Sequence, residues 1–126
     1  MKEDLSESRI LIVDDVRANV DVLVGALRED YKLSVALSGE SALRSAEKAT
    51  PDLVLLDIMM PGLDGYDTIR LIRSIPRFRD LPIIAVTARA MHGDREKCLE
   101  AGASDYIAKP VDAGILLDML QSWCGT

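Results

Sequence analysis

The chain is poor in the residues that build most metal and redox centres. Its 126 residues include only two cysteines and one histidine. Cys98 and Cys124 have no CxxC spacing and no histidine companion, which argues against zinc and dithiol motifs. Two unpaired thiols in a reducing compartment are expected instead. Basic charge is also in deficit, 15 Lys and Arg against 21 Asp and Glu, for a net charge of −6. Non-specific nucleic-acid binding needs a basic face that displaces counterions, so that class is set aside. No apolar run approaches the ~20 residues that span a bilayer. Residues 1–8 are polar and acidic, the opposite of a signal peptide. With 48% hydrophobic and 29% charged residues, the chain reads as one globular, cytoplasmic domain. The expected division is a flexible lead-in over 1–8, the domain over 9–124 and a short tail over 125–126.

What is present is alternation. Five short apolar runs, residues 10–13, 32–37, 53–56, 82–87 and 106–108, are separated by longer amphipathic stretches. Ile10-Leu11-Ile12-Val13 is unbroken and largely β-branched, as in a strand buried on both faces of a parallel sheet. The run over 32–37 is weaker and suits a sheet edge. Val16, Val20, Leu23, Val24 and Leu27 recur at helical spacing. Ser38 can cap a second helix, with Glu40 in its first turn, a stripe of Ala42, Leu43, Ala46 and Ala49, and Pro51 as its stop. Ile69, Leu71, Ile72 and Ile75 mark a third helix ended by Pro76. Residues 91–101 form a poorly amphipathic fourth helix closed by Gly102. The fifth, 113–124, carries more apolar surface than one face needs, and a core role and a partner-facing role weigh evenly for it. Trp123 is expected to be its packing anchor, and His92 a solvated side chain.

Strands alternating with helices predict a doubly wound α/β fold. Its five-stranded parallel sheet would be flavodoxin-like, (βα)5, in the order 2-1-3-4-5, joined by right-handed crossovers. Ligands of such sheets bind beyond the carboxyl ends of the strands. Asp14-Asp15, Asp57, Thr87 and Lys109 each follow or end an apolar run. Each taken alone has an ordinary reading, as a helix cap, a strand end or a solvated turn; together they describe one site.

Three carboxylates brought together repel one another and invite a cation. Oxygen ligands without His or Cys favour a hard ion such as Mg2+. A carboxylate can also attack phosphorus to form an acyl phosphate. A lysine and a hydroxyl would neutralise and orient the phosphoryl oxygens.

Four segments carry a resemblance: Leu11-Ile12-Val13-Asp14-Asp15, the stretch from Leu55-Leu56-Asp57-Ile58-Met59-Met60-Pro61 to Gly65, Ile84-Ala85-Val86-Thr87-Ala88, and Asp105-Tyr106-Ile107-Ala108-Lys109-Pro110. In this order they resemble the receiver domain of two-component response regulators, over roughly residues 9–123. The resemblance implies that Asp57 is the phosphoacceptor for a histidine kinase or histidine phosphotransfer protein. It implies that Asp15, Asp57 and the Met59 carbonyl bind Mg2+ (or Mn2+ as a substitute), with Asp14 acting through water. Thr87 and Lys109 would contact the phosphoryl group, Tyr106 would swing inward with Thr87, and the Lys109–Pro110 peptide would be cis. Met59 and Arg89 fall where the family tunes phosphoryl lifetime. The chain would be no enzyme in the usual sense, but a signalling phosphoacceptor with Mg2+-dependent self-phosphorylation and self-dephosphorylation. Its readout would be helix four, strand five and helix five, through a downstream protein or self-association, with no nucleic acid or membrane contacted directly.

Other readings of the same architecture are weaker. An FMN carrier would need a Ser/Thr/Gly-rich phosphate cradle where this chain has Asp14-Asp15. An aspartyl-nucleophile phosphatase would resemble a pattern with an acid at Met59. A receiver fold used only for phosphorylation-independent docking would not need all five functional side chains. The end of the chain at Thr126 suits either a stand-alone regulator or a receiver cut from a larger protein. Residues 87–98 look like receivers of hybrid histidine kinases, which favours the second context.

Overall fold

In the computed structural model, residues 8–58, 65–87, 94–109 and 111–124 are described. The elements run β1 (Arg9–Val13), α1 (Arg17–Leu27), β2 (Lys32–Ala36), α2 (Gly39–Lys48), β3 (Leu53–Asp57), α3 (Gly65–Arg73), a 3-10 turn (Pro76–Phe78), β4 (Ile83–Thr87), α4 (Asp94–Ala101), β5 (Asp105–Ala108) and α5 (Ala113–Cys124). All strand pairs are parallel, in the order β2-β1-β3-β4-β5.

Strand periodicity divides the core into two layers. Leu11, Val13, Val54, Leu56, Ile83 and Ala85 pack with Ala42 and Ala46 of α2, Ile69 and Ile72 of α3, and Cys98 and Ala101 of α4. The alternate residues Ile10, Ile12, Leu53, Leu55, Ile84, Val86 and Ile107 pack with Val20, Leu23 and Leu27 of α1 and Leu116 and Leu120 of α5. The unbroken apolar runs of β1, β3 and β4 exist because both faces are covered. β2 and β5 are the edges and are only partly buried.

Local signals act as their chemistry requires. The Ser38 hydroxyl accepts the Ser41 N–H at 3.1 Å and caps α2. Gly102 follows α4 at φ +120°, a conformation L side chains rarely adopt.

Some apolar residues are placed otherwise than expected. Val16 precedes α1 as its exposed N-cap, Ala49 is the exposed cap after α2, and Leu71 points outward. Trp123 is no packing anchor: it is 41% exposed, and its indole N–H is directed at Asp105 Oδ2, 3.4 Å away. In α5, Leu116 and Leu120 are fully buried while Ile115 lies exposed, so the helix serves the core with one stripe and keeps a second on the surface. Cys98 is buried and forms no disulfide among the described residues, and the Cys124 side chain lies outside the described residues. No helix among the described residues is long and apolar enough to cross a membrane.

Candidate functional site

Register alone assembles the site. Val13 pairs with Leu56, so Asp14 follows β1 at the level where Asp57 ends β3. Asp57 pairs with Val86, and Thr87 with Ala108, which puts Thr87 and Lys109 each one step further out. The Lys109 N–H donates to the Thr87 carbonyl at 2.8 Å and holds the exit of β5 against β4. Alternation then sorts the side chains. Asp14, Asp57 and Lys109 share the parity of the layer facing α1 and α5, whereas Thr87 and Tyr106 share that of the α4 layer, against which Tyr106 packs.

Two of the acids and the hydroxyl are sheltered, Asp14 at 2% exposed, Asp57 at 3% and Thr87 at 1%, whereas the Asp15 residue is not buried. Lys109 Nζ lies 3.4 Å from Asp57 Oδ1 and 3.7 Å from Asp14 Oδ2, one ammonium between two buried carboxylates. Asp14 Oδ1 accepts the Val16 N–H at 2.9 Å. That bond ties Asp14 to the turn before α1 rather than capping the helix, whose N-cap is Val16.

Asp14, Asp15 and Asp57 each offer a carboxylate oxygen within 4.8 Å of the others. Asp15 Oδ1 is buried without a hydrogen-bond partner. Among the described residues three acids stand against one lysine and leave net negative charge, and an orphaned buried oxygen is costly unless an ion or water meets it. A donor set of carboxylates alone fits a hard divalent cation.

Two contributions were not foreseen in the sequence. The Gly65 N–H donates to the Ile58 carbonyl at 3.1 Å. A β-carbon at Gly65 would overlap Ile58 Cα and stand 2.7 Å from the Asp57 carbonyl oxygen. The first turn of α3 therefore lies directly against the backbone that carries Asp57; the turn signal at Gly65 was visible, its contact was not. Beside the acids a cavity of about 430 Å³ opens between α1 and the segment after β5, lined by Asn19, Val22, Leu23, Val86 and Val111 as well as Asp14 and Lys109. Met59, Arg89, His92 and Pro110 lie outside the described residues.

The chain matches the Response regulator receiver domain family over residues 10–121. It is 43% identical over 116 residues to Response regulator PleD of Caulobacter vibrioides, covering 91% of this chain and 26% of PleD. It is 45% identical over 113 residues to Signal transduction histidine-protein kinase BarA of Escherichia coli K12, covering 88% of this chain and 12% of BarA. It thus spans about a quarter or less of these relatives. The receiver domain of a sensor histidine kinase from Pseudomonas aeruginosa PAO1 superposes with a TM-score of 0.87 at 43% identity, covering 94% of this chain and 98% of that one. That domain was crystallised with a magnesium ion coordinated in its active-site cleft.

Proposed function

The chain belongs to the response regulator receiver domain family, and on that footing we propose that it is a phosphoacceptor. Asp57 takes a phosphoryl group from a phosphohistidine donor, a histidine kinase or a histidine phosphotransfer protein, in a Mg2+-dependent reaction. The observation that carries this reading is Lys109 Nζ, 3.4 Å from Asp57 Oδ1 at the carboxyl edge of the sheet.

One Asp57 carboxylate oxygen attacks phosphorus. The bond from phosphorus to the donor imidazole nitrogen breaks, that nitrogen keeps the electron pair, and an acyl phosphate remains on Asp57. Lys109 is placed to turn from the carboxylate to the incoming phosphoryl oxygens, and the Thr87 hydroxyl donates to another of them. Asp15, Asp57 and the Met59 carbonyl would hold Mg2+, or Mn2+ in its place, which supplies charge neutralisation. Asp14 would act through water. The engagement of Asp14 by Val16 and Lys109, against the orphaned Oδ1 of Asp15, supports this division. Hydrolysis of the acyl phosphate by water resets the site, at a rate tuned by Met59 and Arg89.

The signal leaves through α4, β5 and α5, with Thr87 and Tyr106 as the switch pair, to a downstream protein or a second copy. The shared parity of Thr87 and Tyr106, and the exposure of Leu99, Ile115 and Trp123, support this face. Residues 9–124 form the receiver, in the cytoplasm, as part of a hybrid kinase or multi-domain regulator or alone. Intact-mass measurement after incubation with Mg2+ and a small acyl phosphate tests the proposal. Wild type gains one phosphoryl group and Asp57→Asn gains none; equal gain in both would overturn it.

A further inference from the structure

Away from the acidic cleft, Arg73 at the end of α3 is drawn into the fold. Its Nε donates to the Gly102 carbonyl at 2.8 Å, Nη1 to the Phe78 carbonyl at 2.8 Å, and Nη2 to Ser104 Oγ at 3.3 Å. Burial lowers its pKa, and the charge of Asp80 opposes that shift. Its acceptors are two carbonyls and a hydroxyl from two separate segments, so what the site uses is the rigid fork.

Those segments are the 3-10 turn and the short connection between α4 and β5, which supplies both Gly102 and Ser104. Ser104 is itself fastened to β4: its N–H donates to the Ile83 carbonyl at 2.7 Å, and its Oγ accepts the Ile83 N–H at 3.1 Å. Gly102 is shaped for the arrangement, since a β-carbon there would meet Arg73 Cγ at 2.8 Å. By contrast α4 is lightly held. From residue 96 to 101 only Cys98 and Ala101 are buried, and Glu96, Lys97, Leu99 and Glu100 face outward.

We propose that Arg73 is a clamp that makes the C-terminal end of α4 the fixed end of a lever, so that rearrangement of the α4 face is taken up towards Asp94. The entry of β5 stays pinned while α4 moves. Lys109 keeps its register beside Asp57, and Tyr106 responds on the opposite face.

Hydrogen–deuterium exchange of the whole chain tests this with Arg73→Met, which keeps the aliphatic stem, and Arg73→Lys, which keeps the charge without the fork. In the resting protein both substitutions accelerate exchange of amides 100–104 about tenfold or more, with little change over 95–98. Unchanged exchange at 100–104, equal acceleration along the whole helix, or full rescue by lysine would overturn the clamp. If Arg73→Met does not fold, Ser104→Ala removes one acceptor and is read by the same criteria.

The loaded comparison rests on the phosphoacceptor reading. After treatment with Mg2+ and a small acyl phosphate, wild-type exchange changes over 95–98 and stays constant over 102–104; equal change at both ends contradicts the lever. Mass on the same sample separates the two ideas. A chain that does not load refutes the phosphoacceptor reading, and the resting comparison still decides the clamp.

Discussion

Lys109 Nζ stands 3.4 Å from Asp57 Oδ1, although the two residues leave strands that are not neighbours, with β4 between them. The resting carboxylate is thus already partnered, and its partner is a cation that a phosphoryl group can take over. Lys109→Met is expected to slow phosphoryl incorporation about 100-fold, the cost of losing one preorganised donor. In metal-free buffer it should also destabilise the fold by about 1–2 kcal/mol, discounted because the lysine is partly exposed. Stopped-time mass measurements and urea unfolding read the two effects; an unchanged rate would rule out the role given to Lys109.

The acid cluster predicts that Mg2+ stabilises the folded chain. A ligand bound only by the native state at a hundredfold excess over its Kd contributes about 2.7 kcal/mol. Asp15 holds the orphaned buried oxygen, so Asp15→Asn should lose most of the Mg2+-induced rise in Tm. A rise equal to wild type would remove Asp15 from the ligand set.

Gly65 has no room for a side chain against Ile58 and the Asp57 carbonyl. Gly65→Ala should cost about 1–3 kcal/mol in urea unfolding, the usual range for overpacking, and should weaken Mg2+ binding because the Asp57 backbone must shift. A stability within experimental error of wild type would show that α3 can slide away freely.

Met59 is an apolar residue two positions after Asp57. Unable to orient an attacking water, it should leave the acyl phosphate long-lived. Met59→Asn is expected to shorten the phosphoryl half-life, and an unaltered half-life would contradict that role.

The acids, Thr87 and Lys109 were legible in the sequence because a parallel sheet turns the ends of separate apolar runs into one edge. β2 was legible as an edge from its weaker run. The fork of Arg73 was not legible: a long charged side chain follows no hydrophobic period, and its acceptors at Gly102 and Ser104 lie 29 and 31 residues away. Gly65 read as a turn, since nothing local reports how closely its backbone approaches Ile58. Leu71 and Trp123 misled because an apolar side chain carries no mark of whether a neighbour covers it.

The most direct test is chemical localisation of the phosphoryl group. Borohydride reduction of the loaded protein converts an aspartyl phosphate to homoserine, which peptide mass mapping reads position by position. The expected result is conversion at Asp57 alone, dependent on Mg2+. Conversion at Asp14 or Asp15, or a phosphoryl group that resists reduction and sits on a hydroxyl, would contradict the assignment of Asp57 as the phosphoacceptor.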